Sequence, residues 1–128
     1  MIIPFTPVAK GRPRVTRWGT YTPKKTQEYS DTVAAIAILH YKEPISCPCE
    51  LRLTFVMPIP KSTPKKLLET IVDSPHIKRP DVDNLIKGVT DPLNGIAYTD
   101  DSLIYKLYAT KVYGDEPMTI VELLPLLP

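Results

Sequence analysis

Cysteine, net charge and long apolar runs are all scarce in this sequence, and the shortages exclude several classes of protein. The two cysteines, Cys47 and Cys49, have one proline between them, and neither a third cysteine nor a nearby histidine completes a zinc set. A disulfide between them would be strained, so we expect reduced thiols rather than a disulfide scaffold or a zinc domain. No apolar run approaches the roughly eighteen residues of a membrane span, and Pro4 and Pro7 interrupt the N-terminal one. We therefore expect a cytoplasmic protein with no membrane segment and no signal peptide.

The net charge of +2 does not by itself suggest a nucleic-acid partner, but the charges are unevenly distributed. Acidic residues are absent from residues 1–25, and the basic residues of this segment are Lys10, Arg12, Arg14, Arg17, Lys24 and Lys25. Aspartates crowd the second half of the chain. A basic segment followed by clustered acids is typical of a protein that binds phosphates and holds a metal ion.

The basic segment is predicted to be extended and irregular, because Gly11 and Pro13 disfavour a helix. Its arginines can form bidentate hydrogen bonds with phosphate oxygens, and the rings of Trp18 and Tyr21 offer surfaces on which an unpaired base can stack. We therefore predict a DNA-binding segment. The alternative is a solvated basic loop with Trp18 packed on the core.

The 128 residues suit one domain, and fifteen prolines exclude long regular elements over much of the chain. Apolar periodicity predicts a short first strand, helices at about 26–41, 62–71 and 82–93, and strands at about 51–57, 103–113 and 118–124. The last two strands are predicted to form an antiparallel hairpin. The order β-α-β-α-β-β, with two main helices, indicates an α+β domain with a mixed sheet over residues 1–128. The first helix is apolar on nearly all sides, which favours a homodimer.

The start of the last predicted helix carries closely spaced carboxylates. Pro80 excludes a helix before it, and Asp81 is a natural N-cap, whose carboxylate would accept backbone N–H groups of the first turn. Asp83 lies in that turn, and Lys87 follows it by four residues on the same face. Helix capping and an ordinary surface ion pair are sufficient to explain this spacing alone.

A second acidic pair, Asp100 and Asp101, favours a functional interpretation of the first one. Clustered carboxylates repel one another unless a cation joins them. Hard oxygen ligands of this kind select Mg²⁺ or Mn²⁺. The sequence therefore predicts a metal site, if folding brings the two pairs together.

These residues resemble the RusA family of Holliday-junction resolvases, in which an Asp-x-Asp-Asn-Leu-x-Lys helix precedes an Asp-Asp pair at the start of a strand. Residues 81–87 and 100–101 match that pattern, within a similarity that covers about 77–112 and the N-terminal basic segment. The resemblance implies a Mg²⁺-dependent endodeoxyribonuclease of DNA recombination and repair, with Mn²⁺ as a substitute and no small-molecule cofactor. It also implies a homodimer that nicks two strands of a four-way DNA junction symmetrically, and a phage or prophage origin.

The same resemblance implies a role for each matching residue. The metal ligands would be Asp81, Asp83 and Asp101, with Asp100 as a support or an alternative ligand. Lys87 would contact the scissile phosphate or the attacking water. Asn84 would hold the helix start or orient a carboxylate, and Asp91 would have a supporting or structural role rather than bind the metal. Apart from the resemblance, Lys111 on the strand after Asp101 is a further candidate for a phosphate contact.

Two other functions remain open at this point. A junction-binding architectural protein would use the same fold, with acids that only cap a helix. A metal-dependent transferase would use Asp-x-Asp for the metal of a nucleotide sugar, although no separate nucleotide-binding domain is evident. The two histidines, His40 and His76, are expected at a helix end and in a solvated loop.

Overall fold

The computed structural model describes residues 1–11 and 14–128. Its strands and helices, in chain order, are β1 (Ile2–Ile3), β2 (Arg14–Thr16), β3 (Gly19–Tyr21), α1 (Lys24–His40), β4 (Cys49–Pro58), α2 (Lys65–Ile71), α3 (Val82–Leu93), β5 (Ile104–Gly114) and β6 (Met118–Pro125). A 3-10 turn, Asp101–Leu103, leads into β5. Arg12 lies outside the described residues, and only the backbone of Arg14 is described. Their DNA contacts therefore stay predictions.

The strand with the most buried apolar residues, β4, lies inside a four-stranded sheet. Leu51, Leu53, Phe55 and Met57 alternate toward the core as predicted, and none of them is more than 4% exposed. β4 pairs in parallel with β5 and antiparallel with β6, and the other edge of β6 carries β1. The predicted α+β class with a mixed sheet is therefore confirmed.

The predicted hairpin of the last two strands is wrong, because β4 lies between β5 and β6. The chain leaves β5 at Gly114, opposite Pro58, and returns in β6 with Met118 opposite Val56. A Cβ atom added at Gly114 would lie 2.3 Å from Val56 Cγ1, so a larger residue fits there only if the Val56 side chain moves. β4, whose core face is the most apolar, therefore has a neighbouring strand on both edges and is shielded from water.

Helices α1 and α3 contact each other and cover the core face of the sheet. α3 has the predicted bounds, and its buried apolar residues are Leu85, Val89 and Leu93. α1 buries one apolar stripe, Tyr29, Val33 and Ala37. Its excess apolar residues Ile38 and Leu39 are 62% and 90% exposed, and His40 lies exposed in the last turn, as predicted.

Residues 14–21 form a two-stranded ribbon instead of the irregular loop predicted. β2 pairs antiparallel with β3, and the turn between them carries Arg17 and Trp18. The Thr16 hydroxyl closes the turn, since it donates to the Gly19 carbonyl (3.0 Å) and accepts from the Trp18 N–H (3.2 Å). Trp18 is 86% exposed, so the alternative in which it packs on the core is wrong.

The cysteines are free thiols, as predicted, and Cys49 is buried at the start of β4. Burial raises the pKa of the Cys49 thiol, with a smaller contribution from Cys47. A buried thiol of raised pKa is a poor nucleophile. Within the described ranges of the chain, no helix is long and apolar enough to cross a membrane.

Candidate active site and nucleic-acid interface

The start of α3 presents the first predicted site residues on the surface. Asp81 occupies the N-cap position, but its carboxylate makes no capping hydrogen bond with the described residues. Asp83 accepts a hydrogen bond of 3.0 Å from the N–H of Asn84. Asp81, Asp83 and Lys87 are all exposed. Capping therefore does not occupy the Asp81 carboxylate, which remains available to a cation.

Lys111 on β5 holds the chain immediately before Asp81. Its ammonium donates hydrogen bonds to the carbonyl oxygens of Lys78 (2.6 Å) and Pro80 (2.7 Å). Hydrogen bonds from a charged donor are stronger than neutral ones, so this contact restricts where α3 can begin. Lys111 is thus a positioning residue in this structure, and its contact with a DNA phosphate stays a prediction.

The second acidic pair lies toward the other end of β5. Asp100 and Asp101 precede Ile104, the first residue of that strand, whereas Lys111 lies far along it. At a rise of about 3.3 Å per residue, the strand from Ile104 to Lys111 spans about 23 Å. The two acidic pairs are therefore associated with opposite ends of β5.

The direction of α3 agrees with this separation. The helix begins beside Lys111, whose ammonium binds the Pro80 carbonyl. Its last turns lie beside the segment that leads into β5, since the Tyr98 hydroxyl donates to the Thr90 carbonyl (2.7 Å). Among residues 1–11 and 14–128, no group of three acidic, histidine or cysteine side chains could hold a metal ion. The fold thus sets Asp81 and Asp83 side by side without joining Asp101 of the same chain to them.

The two members of the second pair differ in their surroundings. The Asp100 carboxylate accepts hydrogen bonds from the hydroxyl and from the N–H of Ser102 (3.2 Å for the N–H), and it caps the 3-10 turn. These bonds lower the pKa of the Asp100 carboxyl. Asp101 is exposed, and its carboxylate forms no ion pair with the described residues. Asp100 therefore has a structural partner, and Asp101 is the better candidate for a ligand.

The basic segment is docked on α3. The Lys10 N–H donates to the Asn84 carbonyl (2.9 Å), and the Lys10 ammonium pairs with the Asp91 carboxylate. A Cβ atom added at Gly88 would lie 2.4 Å from the Val8 carbonyl oxygen, so glycine is needed for this close approach. Asp91, for which we expect a supporting or structural role rather than ligation, here anchors the segment.

The other predicted DNA contacts lie on the ribbon and at the start of α1. The Arg17 guanidinium lies 5.1 Å from the centroid of the Trp18 ring, and Tyr21 is 49% exposed. Lys24 and Lys25 lie in the first turn of α1, which has no acidic residue. Cations are disfavoured at this end of the helix dipole, and an anionic partner would offset that cost.

Sequence reasoning missed His76, which is buried rather than solvated. The backbone N–H of His76 donates to the Lys111 carbonyl (2.9 Å), and Pro75 pairs with Val112 along the outer edge of β5. Its ring packs on Tyr113 with 4.7 Å between centroids, and only 9% of the residue is exposed. Because these contacts join distant segments, no local spacing in the sequence indicates them.

Comparison with known proteins identifies the family of this chain. The family described as Endodeoxyribonuclease RusA matches residues 4–124, a range that includes both acidic pairs and the basic segment. The chain is also 38% identical, over 121 residues, to the Bacillus subtilis (strain 168) protein named "Uncharacterized protein YqaN", and the match covers 87% of this chain and 84% of that protein. The chain therefore belongs to the RusA family of endodeoxyribonucleases, enzymes that hydrolyse phosphodiester bonds of DNA.

Proposed function

We propose that this protein resolves Holliday junctions as a homodimer, by paired symmetric nicks that depend on Mg²⁺ or, as a substitute, Mn²⁺. The observation that carries the proposal is the start of α3. There Asp81 and Asp83 present exposed carboxylates, the Asp81 carboxylate caps no backbone group of the described residues, and Lys87 follows one turn later. Four-way junctions are intermediates of recombination, so a role in DNA recombination and repair follows from this substrate.

The donors at this site suit a hard divalent cation. Mg²⁺ in phosphoryl chemistry is commonly held by one or two carboxylates together with waters and the substrate phosphate, which Asp81 and Asp83 are able to provide. A bound ion would relieve charge on the phosphoryl oxygens and help to form the attacking hydroxide. The Lys87 ammonium stabilises the negative charge that grows on the phosphate. Lys111 keeps the carboxylate-bearing segment in position through its two carbonyl contacts.

A second chain is proposed to supply the third carboxylate. β5 is an edge strand, and among the described residues the outer backbone groups of 105, 107 and 109 have no partner. Its side chains Tyr105, Leu107 and Tyr108 are 57%, 43% and 51% exposed. A long edge with exposed apolar side chains favours pairing with another strand, and a second copy of β5 has the same surface.

Two β5 strands would pair antiparallel over residues 105–109, about a twofold axis near Leu107, because the outer edge at 111–113 already bonds to residues 73–76 of the same chain. The partner's Asp101 would then lie level with Tyr113, outside that segment, since Tyr113 lies as far beyond the axis as Asp101 lies before it. This is the end of β5 at which Lys111 holds the residues before Asp81. Each composite site would then contain Asp81 and Asp83 of one chain and the partner's Asp101. Two sites related by a twofold axis suit a twofold-symmetric junction and account for paired nicks.

The basic segment and the ribbon are proposed to bind the junction arms. Lys10 lies beside α3, and Lys24 and Lys25 lie at the start of α1, which packs on α3. DNA bound to these three lysines would therefore lie close to Asp81 and Asp83 at the start of α3. The exposed Trp18 ring offers a stacking surface for a base at the branch point. Phosphate contacts of this kind bind without sequence preference and weaken with salt.

Nicking of a four-way junction and of a linear duplex, titrated with Mg²⁺, tests the proposal. We expect the wild type to cut the junction in preference to the duplex, and Asp83→Asn to lose nicking while it binds the junction in EDTA as tightly as the wild type. Asp115→Asn, in the exposed β5–β6 connection, is the matched control and should retain activity. Wild-type nicking by Asp83→Asn would remove this residue from the site.

The same experiment separates the architectural alternative from the nuclease. Membership in an endonuclease family weighs against that alternative and against a transferase. A protein that binds four-way junctions tightly but cuts none of them, with Mg²⁺ or Mn²⁺ over the whole titration, would be the architectural protein. In that case Asp83→Asn would change neither binding nor junction shape.

A further inference from the structure

A cavity of about 520 Å³ lies beside the candidate active site, between the basic segment and the residues that lead into α3. Lys25 and Arg79 line it, and Arg79 is two residues from Asp81. The apolar part of its wall includes Pro7, Val8, Met57, Pro58 and Pro80. Rings of proline and a thioether form flat, deformable apolar surfaces. The cavity therefore combines apolar walls with cations and lies next to the proposed path of the DNA.

His76 is the polar member of this wall that the fold leaves unsatisfied. The residue is 9% exposed, and its Nδ1 is buried without a hydrogen-bond partner among the described residues. Burial, and then the Lys111 ammonium, lower the pKa of the imidazole, so the ring is neutral at physiological pH and offers one donor and one acceptor. Nδ1 itself is closed to solvent. Nε2 is not among the buried atoms and forms no hydrogen bond with the described residues, so it is the ring nitrogen that a ligand in the cavity can reach.

We infer that this cavity receives one unstacked nucleobase of the junction DNA and that the His76 imidazole forms a hydrogen bond with the edge of that base. His76 is thereby a specificity-determining residue, which selects the base next to which the strand is cut. The inference rests on the proposed function, since it names the substrate feature that the same site recognises.

The chemistry of the cavity fits a base. A nucleobase has two apolar faces, which the proline rings and Met57 accept, and a polar edge, which the imidazole meets. Lys25 and Arg79 are suited to the phosphates on either side of the extruded nucleotide. Bases at the crossover of an open four-way junction lack a stacking neighbour on one side, so extrusion costs less there than in a duplex.

The test uses junctions that carry each of the four bases at every nucleotide flanking the crossover. Two readouts are taken with the full-length protein: the nicking rate with Mg²⁺ and competition binding in EDTA. We expect the wild type to prefer one base at one position by at least about tenfold. His76→Phe keeps an aromatic ring without the hydrogen bond, and it should reduce that preference to within about twofold while affinity averaged over the four bases stays within about threefold.

Three further variants keep the test decisive. His76→Leu also lacks the hydrogen bond and replaces His76→Phe if the latter does not fold, and both apolar variants should have a Tm at or above that of the wild type. His76→Asn keeps a hydrogen-bonding group and should keep a base preference. His40→Phe, at the exposed end of α1, is the control and should behave as the wild type.

The outcomes separate this inference from the proposed function. Junctions cut without any base preference, or a preference that His76→Phe and His76→Leu retain in full, would overturn the base pocket and leave the resolvase intact. A second outcome is a wild type that cuts no junction but binds one base preferentially in EDTA, with apolar variants that lose this preference. That outcome would support the base pocket and overturn only the nuclease.

Discussion

Replacing Gly88 with alanine tests how the basic segment is held on α3. Gly88 lies inside the helix, where alanine is favoured over glycine by about 1 kcal/mol. The added Cβ would lie 2.4 Å from the Val8 carbonyl oxygen, however, and the segment cannot move without breaking the hydrogen bond from the Lys10 N–H to Asn84. Overpacking costs about 1–3 kcal/mol, and the broken hydrogen bond about 1 kcal/mol. The ion pair of Lys10 with Asp91 adds little, because the two side chains are 41% and 38% exposed.

The unfavourable contributions exceed the gain in helix propensity. We expect Gly88→Ala to lower the free energy of unfolding by about 1–3 kcal/mol and the Tm by about 4–12 °C in calorimetry. The displaced segment carries basic residues, so junction affinity in EDTA should fall by about tenfold, which corresponds to about 1.4 kcal/mol.

Val121→Ala is the control for a general loss of stability. Val121 is buried in the core, and removal of two methyl groups costs about 2 kcal/mol without a change in the contact of the segment with α3. Its junction affinity should equal that of the wild type. If Gly88→Ala is instead more stable than the wild type and binds junctions equally well, the segment does not lie against α3 and the reasoning fails.

Three further predictions concern DNA binding and cleavage. Charge reversal of Arg12 and Arg14 should weaken junction binding and flatten the plot of log K against log salt by about one unit for each phosphate that is no longer bound; an unchanged salt titration would discard their role. Trp18→Ala should lower affinity for junctions by about tenfold and affinity for linear duplex by less than about twofold, since a stacked base contributes about 1–3 kcal/mol; equal losses on both substrates would argue against stacking at the branch point. Lys111→Met should lower the nicking rate by at least about tenfold with junction affinity within about threefold, because the segment before the carboxylates loses two charged hydrogen bonds of about 1.5–3 kcal/mol each. Lys42→Met, at an exposed lysine in the turn after α1, is the control for that variant, and equal nicking by the two would remove the positioning role.

Local signals in the sequence predicted the elements that hold the first acidic pair. Pro80 and Asp81 mark the start of α3, and the helix begins at Val82 as expected. Strict alternation from Leu51 to Met57 predicted β4, because a strand with one buried face leaves that pattern wherever it lies. The N-cap position of Asp81 was predicted, but the absence of a capping bond from its carboxylate depends on the side-chain rotamer and leaves no trace in the sequence.

Long-range contacts escaped prediction for a physical reason. β4 lies between β5 and β6 because burial inside the sheet stabilises it most. The burial of a strand depends on the whole core, whereas the residues around Gly114 report only on a local turn. Burial of His76 follows from backbone pairing with β5. The position of Asp101 relative to Asp81 follows from the antiparallel course of α3 and β5, so the spacing of the two acidic pairs along the chain does not determine their distance in space.

Mixing two inactive variants tests the composite active site most directly. Asp83→Asn and Asp101→Asn are each expected to form homodimers without nicking activity, because every site lacks one ligand. In the mixed dimer, one site contains both substitutions and the other contains none, so unfolding and refolding the two proteins together should restore nicking of a single strand per junction. Activity that stays at background in mixed dimers, with their formation verified by tagged pull-down, would contradict a site assembled from two chains.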